Sequence, residues 1–461
     1  MGGTLMANNI AREIIDAIGK SKVLTGKEEL ACYSYDCSTY RHDPELVVLA
    51  ETTADVAAVL KIANEQKVTV LPRGSATNMC GATVPVNGGV VLDILSMNRI
   101  LEIDKENLTV TCQPGVITVD LQTAVEKEGL FYPPDPQGLN MSTIGGNLAL
   151  DAGGPRAVKY GVTRNYVLGL ETVLASGQVL RTGGKTTKDV SGYNLTQLLV
   201  GSEGTLGIFT EMTLKLIPKP EAKRTLVCAF DDLQDASRTV TKIIEHKIVP
   251  SMLELLDRTS VNLIQSYVDS GYPTDAAGVL LIEVDGSSAE ADKQITLISD
   301  LCKECNAREI KVAQTPEEAE AIWVGRRSGF AALSAYKPTV IAEDAVVPRD
   351  RLPEMVARIQ TIAEKYGMLL PTFGHAGDGN VHPHICFDPR NLEEAVKVPH
   401  IKDEIYHAAL NLGGSISGEH GIGIAKKHLM PLQHNELNLA IMSGIKSVFD
   451  TNNILNPGKA F

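Results

Sequence analysis

The stretch Glu45–Asn78, ELVVLAETTADVAAVLKIANEQKVTVLPRGSATN, decides how the first half of the chain folds. ELVVLA is an apolar run of strand length, and TTADVAAVLKIANEQ carries its apolar residues at helical spacing, with Thr53 as N-cap. VTVL is a second short buried strand, and the whole reads as a β-α-β unit. Its second strand runs into PRGSATN, Pro72 to Asn78. Successive backbone N–H groups in such a loop converge on phosphate oxygens, and Gly74 permits close approach; the other reading is an ordinary turn. The chain has no G-x-G-x-x-G and no Walker A motif, which disfavours a Rossmann or P-loop site.

From about Val90 to Pro218 the apolar runs are short and punctuated by glycine, as in GGVVLDI, LTVTCQPGV and GTLGIFTEMTLKLIP. They predict a strand-rich mixed sheet. After IPKPEAKR the texture changes to strand followed by helix, repeated, which predicts a second domain with an antiparallel sheet and helices on one face. Domains at 1–220 and 221–414, with 415–461 returning to the first, follow from these shifts. The expected class is α+β.

With 461 residues the chain is too long for one core, and 44% apolar with 21% charged residues describes a globular protein. A net charge of −13 argues against a nucleic-acid groove or docking on an anionic membrane. No apolar run is long enough to span a membrane. The N-terminus lacks a secretory pattern, and Met6 stands where myristoylation needs Ser or Thr. Eight cysteines, mostly inside apolar runs, suggest reduced buried thiols and a cytoplasmic chain. Cys302 and Cys305 form a CxxC at helical spacing, and no motif for an iron–sulfur cluster is present.

Histidine is concentrated late: eight of ten lie between His375 and His434. In TFGHAGDGNVHPH, Thr372–His384, His375 and His382 flank a turn that can fold them to one point, and His382 and His384 share a strand face. SGEHGIG adds Glu419 beside His420. Two imidazoles and a carboxylate make a site for Zn, Fe or Mn with open positions.

Two more glycine-rich stretches, Pro133–Gly161 and Asp189–Ile208, follow PRGSATN in an order and spacing that resemble the FAD-binding domain of the vanillyl-alcohol oxidase family. The resemblance implies a two-subdomain FAD-binding domain under a cap. It implies FAD contacts from Pro72, Arg73, Gly74, Ser75, Ala76, Thr77 and Asn78, from Pro134 and Asp135, and from Ser142, Thr143, Gly146 and Asn147. Glu203, Gly204, Ile208 and Asn456 complete that set. The family usually has glycine where Ala76 and Asn78 stand, and histidine where FAD is attached covalently; Thr77 at that position implies non-covalent FAD.

FGHAGDGNVHP, SGEHGIG and the closing NILNPGK are similar to the D-2-hydroxyacid dehydrogenase branch of that family, which includes D-lactate dehydrogenases, the flavin subunit of glycolate oxidase and D-2-hydroxyglutarate dehydrogenase. The resemblance implies His375, His382 and Glu419 as metal ligands and His420 as general base. It implies Arg326 of IWVGRRSGF as the carboxylate clamp. His384 is a candidate for support behind the ligands, Asp378 and Asn380 shape the turn, and Asn380 is also placed at the flavin edge. Phe330 and, approximately, Ala342 stand where the hydroxyglutarate enzymes hold a second carboxylate, so a short monocarboxylate is expected, D-lactate first. Glycolate or D-2-hydroxyglutarate, a flavin-free metal hydrolase, and a flavin-carrying electron-transfer or scaffold subunit without its own substrate are the other readings. Reduced FAD then needs an external acceptor, for which the branch implies a protein, an electron-transfer flavoprotein first; reaction with dioxygen is the alternative.

Overall fold

The computed structural model describes residues 2–460, with side chains from Asn9 onward; Met6 is among the side chains outside it. The chain divides into two compact units. One comprises the residues up to 152, Val162–Lys219 and the chain from Glu419 on; the other comprises Gly153–Gly161 and Pro220–Gly418.

In the first unit, the strands Leu46–Leu49 and Val70–Arg73 flank the helix Thr53–Gln66. The strand Val90–Asp93 lies between them, parallel to both, so the two strands of the β-α-β unit are not neighbours. Val23–Leu24 adds an antiparallel edge. The helix begins one residue earlier than its sequence suggests: Thr52, not Thr53, is the N-cap. Its hydroxyl accepts from the Asp55 backbone N–H, and the Asp55 carboxylate accepts from the Thr52 backbone in return.

The glycine-punctuated region builds a five-stranded sheet, in the order Ile100–Asp104, Thr109–Cys112, Ile208–Lys215, Val167–Val173, Val179–Gly183. Every pairing in it is antiparallel, so it is not the mixed sheet that the sequence suggested. The parallel strands all went to the first sheet, because Val90–Asp93 was drawn into it.

The tail is fastened by buried charge. Lys446 on the helix Glu436–Phe449 donates to the carbonyls of Thr205 (2.7 Å) and Leu455 (2.8 Å) and to the Asp450 carboxylate. Asp450 accepts in turn from the backbone of Ile454 and Leu455. This pair sets the chain direction into NILNPGK.

The second unit is built on an eight-stranded antiparallel sheet. Its central strands are Ala222–Phe230, Gly278–Gly286, Met252–Asp257, Thr372–His375 and Asn380–Phe387. Helices cover both faces rather than one. Leu226, Cys228 and Phe230 pack into a core with Leu280 and Ile282, while Val227 and Ala229 pack into another with Val279 and Leu281. Strands with an unbroken apolar run, such as GVLLI at 278–282, present apolar surface on both sides and need cover on both. Segment 153–161 belongs here: Lys159 binds the Asp285 carboxylate and carbonyl, and the Tyr160 hydroxyl donates to Asp285 at 2.8 Å.

All eight cysteines are free thiols, and Cys32 and Cys37 are exposed rather than buried. Cys302 lies against Cys228, Sγ to Sγ 3.3 Å, inside the core. Among the described residues no helix is long and apolar enough to cross a membrane.

Removing the Asp450 carboxylate would leave the Lys446 ammonium buried without its counter-charge. Asp450→Ala is therefore expected to lower unfolding free energy by about 3 kcal/mol, read from urea denaturation.

Candidate active site

In the first unit the three glycine-rich stretches come together. A Cβ on Gly74 would lie 2.5 Å from the Thr143 hydroxyl, and one on Gly204 would lie 2.4 Å from the Pro72 ring. The loops at 72–78, 142–147 and 203–208 are thus in direct contact, as one binding surface requires. Thr118 joins two of the expected residues: its hydroxyl lies 2.9 Å from that of Ser142 and accepts from the Asn147 amide at 2.8 Å. Nothing in the sequence around Thr118 signalled this. Gln122 donates to the carbonyl of Pro134 (2.8 Å), next to the buried Asp135.

Within PRGSATN the Arg73 and Asn78 side chains are already engaged. Arg73 donates to the Tyr35 carbonyl (2.7 Å), and Asn78 donates to Thr83 and accepts from the Ala82 backbone. Ala76 has a φ of 55°, the left-handed region that glycine enters freely, at one of the positions where the resemblance expects glycine. The loop therefore keeps the glycine conformation with a methyl group in place.

Glu203 is buried, and its carboxylate accepts from the backbone of Ile422 (2.7 Å) and Gly423 (2.8 Å), two and three residues past His420. Asn456 spans the carbonyls of Ala82 (3.0 Å) and Glu203 (2.7 Å). Lys459 donates to the Val84 carbonyl at 2.7 Å, and burial pushes its ammonium down to about 8. Ile208 belongs to the unit's core.

In the second unit the histidines gather as the hairpin dictates. The strand Thr372–His375 and the strand Asn380–Phe387 pair with His382 opposite Phe373 and His375 opposite Asn380. The rings of His375 and His382 lie on one face, edge to face, with centroids 5.1 Å apart. His384, one step further along that face, stacks on Phe373 at 4.1 Å. The turn between the strands depends on Gly379, with φ at +87° and Val347 O 2.1 Å from where a Cβ would stand.

Both imidazoles have Nδ1 tied to an oxygen that only accepts. His375 Nδ1 lies 2.6 Å from Glu254 Oε1, and His382 Nδ1 lies 3.1 Å from the Glu343 carbonyl. Each Nδ1 therefore carries a proton, which leaves Nε2 as the nitrogen that can offer a lone pair to a metal. The donor set fits a borderline divalent metal.

Glu254 is the residue the sequence reading missed. Its other oxygen accepts from Arg326 Nε at 2.7 Å. Burial opposes its charge, but Arg326 and His375 beside it hold the carboxyl down, to about 2. The signal was a lone glutamate in the apolar strand MLELLD. Arg326 lies in the last turn of the helix Pro316–Arg327, with its guanidinium 4.5 Å above the Phe373 ring and its Nη2 buried without a hydrogen bond. A Cβ on Gly329 would come within 2.9 Å of Phe373, so GRRSG lets the helix sit close enough to place Arg326 there. Arg327 is half exposed and pairs with Glu320 on the surface.

Asn380 turns inward to Asp344 at 2.9 Å and to the Ala345 carbonyl. Asp344 also accepts from Ser417 Oγ (2.7 Å) and the Gly418 N–H (2.9 Å), which fixes the backbone one residue before Glu419. Glu419 and His420 belong to the first unit.

Residues 44–183 match the FAD binding domain, and residues 219–460 match the FAD linked oxidases, C-terminal domain. The chain belongs to the FAD-linked oxidase family. It is 47% identical over 458 residues to glycolate oxidase subunit GlcD of Bacillus subtilis, covering 99% of this chain and 97% of that one. It is 38% identical to D-lactate dehydrogenase of Anaerostipes hadrus, covering 98% of each chain. Among solved structures, p-cresol methylhydroxylase superposes with a TM-score of 0.83 at 19% identity, covering 100% of this chain and 97% of that one. That likeness shows the vanillyl-alcohol oxidase type of fold. The protein is an FAD-linked oxidoreductase of the branch that holds GlcD and D-lactate dehydrogenase.

Gly379→Ala combines a strained φ with a clash against backbone, so a loss of about 3 kcal/mol is expected in urea unfolding of the variant. Lys459 yields a pH signature. The unfolded chain keeps the lysine proton to about 10.5 while the folded protein releases it near 8, so this group adds stability as pH rises through that window. Denaturation curves at pH 8 and pH 10 should show the increment in the wild type and lose it in Lys459→Met.

Proposed function

We propose that the protein oxidises a short 2-hydroxy monocarboxylate, glycolate or D-lactate, to the 2-oxo acid, with non-covalent FAD and a divalent metal. The observation that carries this is Arg326: a buried guanidinium with an unused donor, on the same sheet face as the His375–His382 pair. A buried donor left without a partner costs about 1–3 kcal/mol, and a substrate carboxylate relieves it. The names of two relatives, a glycolate oxidase subunit and a D-lactate dehydrogenase, support a two- or three-carbon acid. Phe330 and Ala342 bring no charge for a second carboxylate.

In this reading His375 and His382, with Glu419, hold the metal, and the loops at 72–78, 134–135, 142–147 and 203–208, with Asn456, hold FAD. Asn380 would touch the flavin edge, and His384 backs Phe373 beneath Arg326. When bound, FAD supplies a two-electron acceptor, and the metal supplies positive charge that acidifies a neighbouring hydroxyl. Arg326 orients the carboxylate, and His420 takes the hydroxyl proton as general base. The electrons pass on to a protein acceptor, an electron-transfer flavoprotein, in the cytoplasm.

Anaerobic bleaching of the flavin tests this. Glycolate and D-lactate should bleach it, D-2-hydroxyglutarate far more slowly, and chelation should stop bleaching while leaving FAD bound. Failure of every 2-hydroxy acid to bleach a yellow preparation overturns the assignment. Reduced enzyme should be reoxidised by an electron-transfer flavoprotein; reoxidation by oxygen alone at the rate of turnover, with stoichiometric peroxide, makes it an oxidase instead.

A further inference from the structure

The strand Met252–Asp257 sends alternate residues to opposite faces: Leu253 and Leu255 into one core, Met252 and Leu256 into the other. Glu254 falls on the second face, fully buried, where a leucine-like side chain would serve the core. The register pairs Leu255 with Gly374 and Leu256 with Phe373, which puts Glu254 across from His375. A carboxylate in such a place costs several kcal/mol unless both oxygens are matched. Both are: Oε1 to His375 Nδ1 at 2.6 Å, Oε2 to Arg326 Nε at 2.7 Å.

We propose that Glu254 is a positioning residue that couples the two halves of the site: one oxygen fixes the tautomer and ring plane of His375 for the metal, and the other fixes the guanidinium of Arg326 for the substrate carboxylate. The inference rests on the metal and substrate roles proposed above. It follows from donor counting. His375 Nδ1–H and Arg326 Nε–H are two donors converging on the two terminal atoms of one group, and only a carboxylate makes both of those atoms acceptors. An amide at 254 accepts from one and turns its own NH2 toward the other. If the NH2 meets His375, the ring must receive it on Nδ1 and carry its proton on Nε2, which removes the lone pair a metal needs. If it meets Arg326, two donors oppose each other and the guanidinium moves off its place over Phe373. The Arg326 edge that remains, Nη2, is already buried without a hydrogen bond, so no other protein group waits to hold it. One glutamate therefore sets both the affinity for metal and the affinity for substrate.

The experiment uses the full-length, FAD-loaded protein, stripped of metal with a chelator and titrated with Co²⁺, comparing wild type, Glu254→Gln, Glu254→Asp and His382→Ala. FAD content and thermal melting report whether each variant is folded. His382→Ala should lose stoichiometric Co²⁺ binding. Glu254→Gln should bind Co²⁺ roughly 10–100-fold more weakly, the range seen when the partner of a ligating histidine is removed. Glu254→Asp keeps two charged oxygens on a shorter arm and should fall between, roughly 3–10-fold weaker than wild type by the same reasoning. At saturating metal, Glu254→Gln should also raise KM for D-lactate and glycolate, the Arg326 half of the effect. If His382→Ala loses metal while Glu254→Gln binds Co²⁺ within threefold of wild type, the positioning role is wrong and the metal site stands. If His382→Ala binds like wild type, the metal reading itself fails, and this inference with it. Should Glu254→Gln not hold FAD, Glu254→Asp decides: wild-type Co²⁺ affinity in that variant overturns the proposal.

Discussion

A carboxylate shut away from water has to be matched inside the protein, and the second unit is organised around one such match. Glu254 stands in the middle of a sheet covered on both faces, and Arg326 and His375 meet its two oxygens. The match draws together three elements far apart in sequence: a central strand, the end of a helix and the edge of a hairpin. Phe373 supplies the floor, with Arg326 above it and His384 stacked on it. Without the Glu254 charge, the guanidinium and the imidazole would each be a buried polar group needing a partner.

The same device recurs with other residues. Asp344, also buried, ties Asn380 to the backbone at Gly418. Glu203 gathers the backbone at Ile422 and Gly423, and Asp450 with Lys446 directs the tail toward Asn456. Each carboxylate is desolvated and fully bonded, so it specifies one arrangement of the chain more than it adds net stability. These anchors lie beside the segments that carry the expected site residues, where backbone precision of a fraction of an ångström governs binding and proton transfer.

The first unit solves a different problem, the approach of backbone to a large anionic cofactor. Close packing of Gly74 on Thr143 and of Gly204 on Pro72 lets three loops share a surface. Ala76 shows how far the pattern tolerates variation: the left-handed conformation persists with a methyl group in place of hydrogen. That costs about 1 kcal/mol, which the surrounding contacts offset.

The sequence by itself determined the periodic and local features. The β-α-β unit, the hairpin that brings His375 to His382, the glycine-rich loops and the family were all legible, because strand alternation, helical spacing and turn residues act over a few positions. Tertiary structure alone decided which strands became neighbours. Val90–Asp93 entered the first sheet and left an antiparallel one behind, since register and pairing depend on loops whose closure energies differ little. It alone decided that helices cover both faces of the second sheet, that Thr118 bonds Ser142 and that Glu254 bonds His375. Their roles come from partners more than twenty residues away, and a glutamate in an apolar strand reads as an exception until the arginine and histidine that neutralise it are in place.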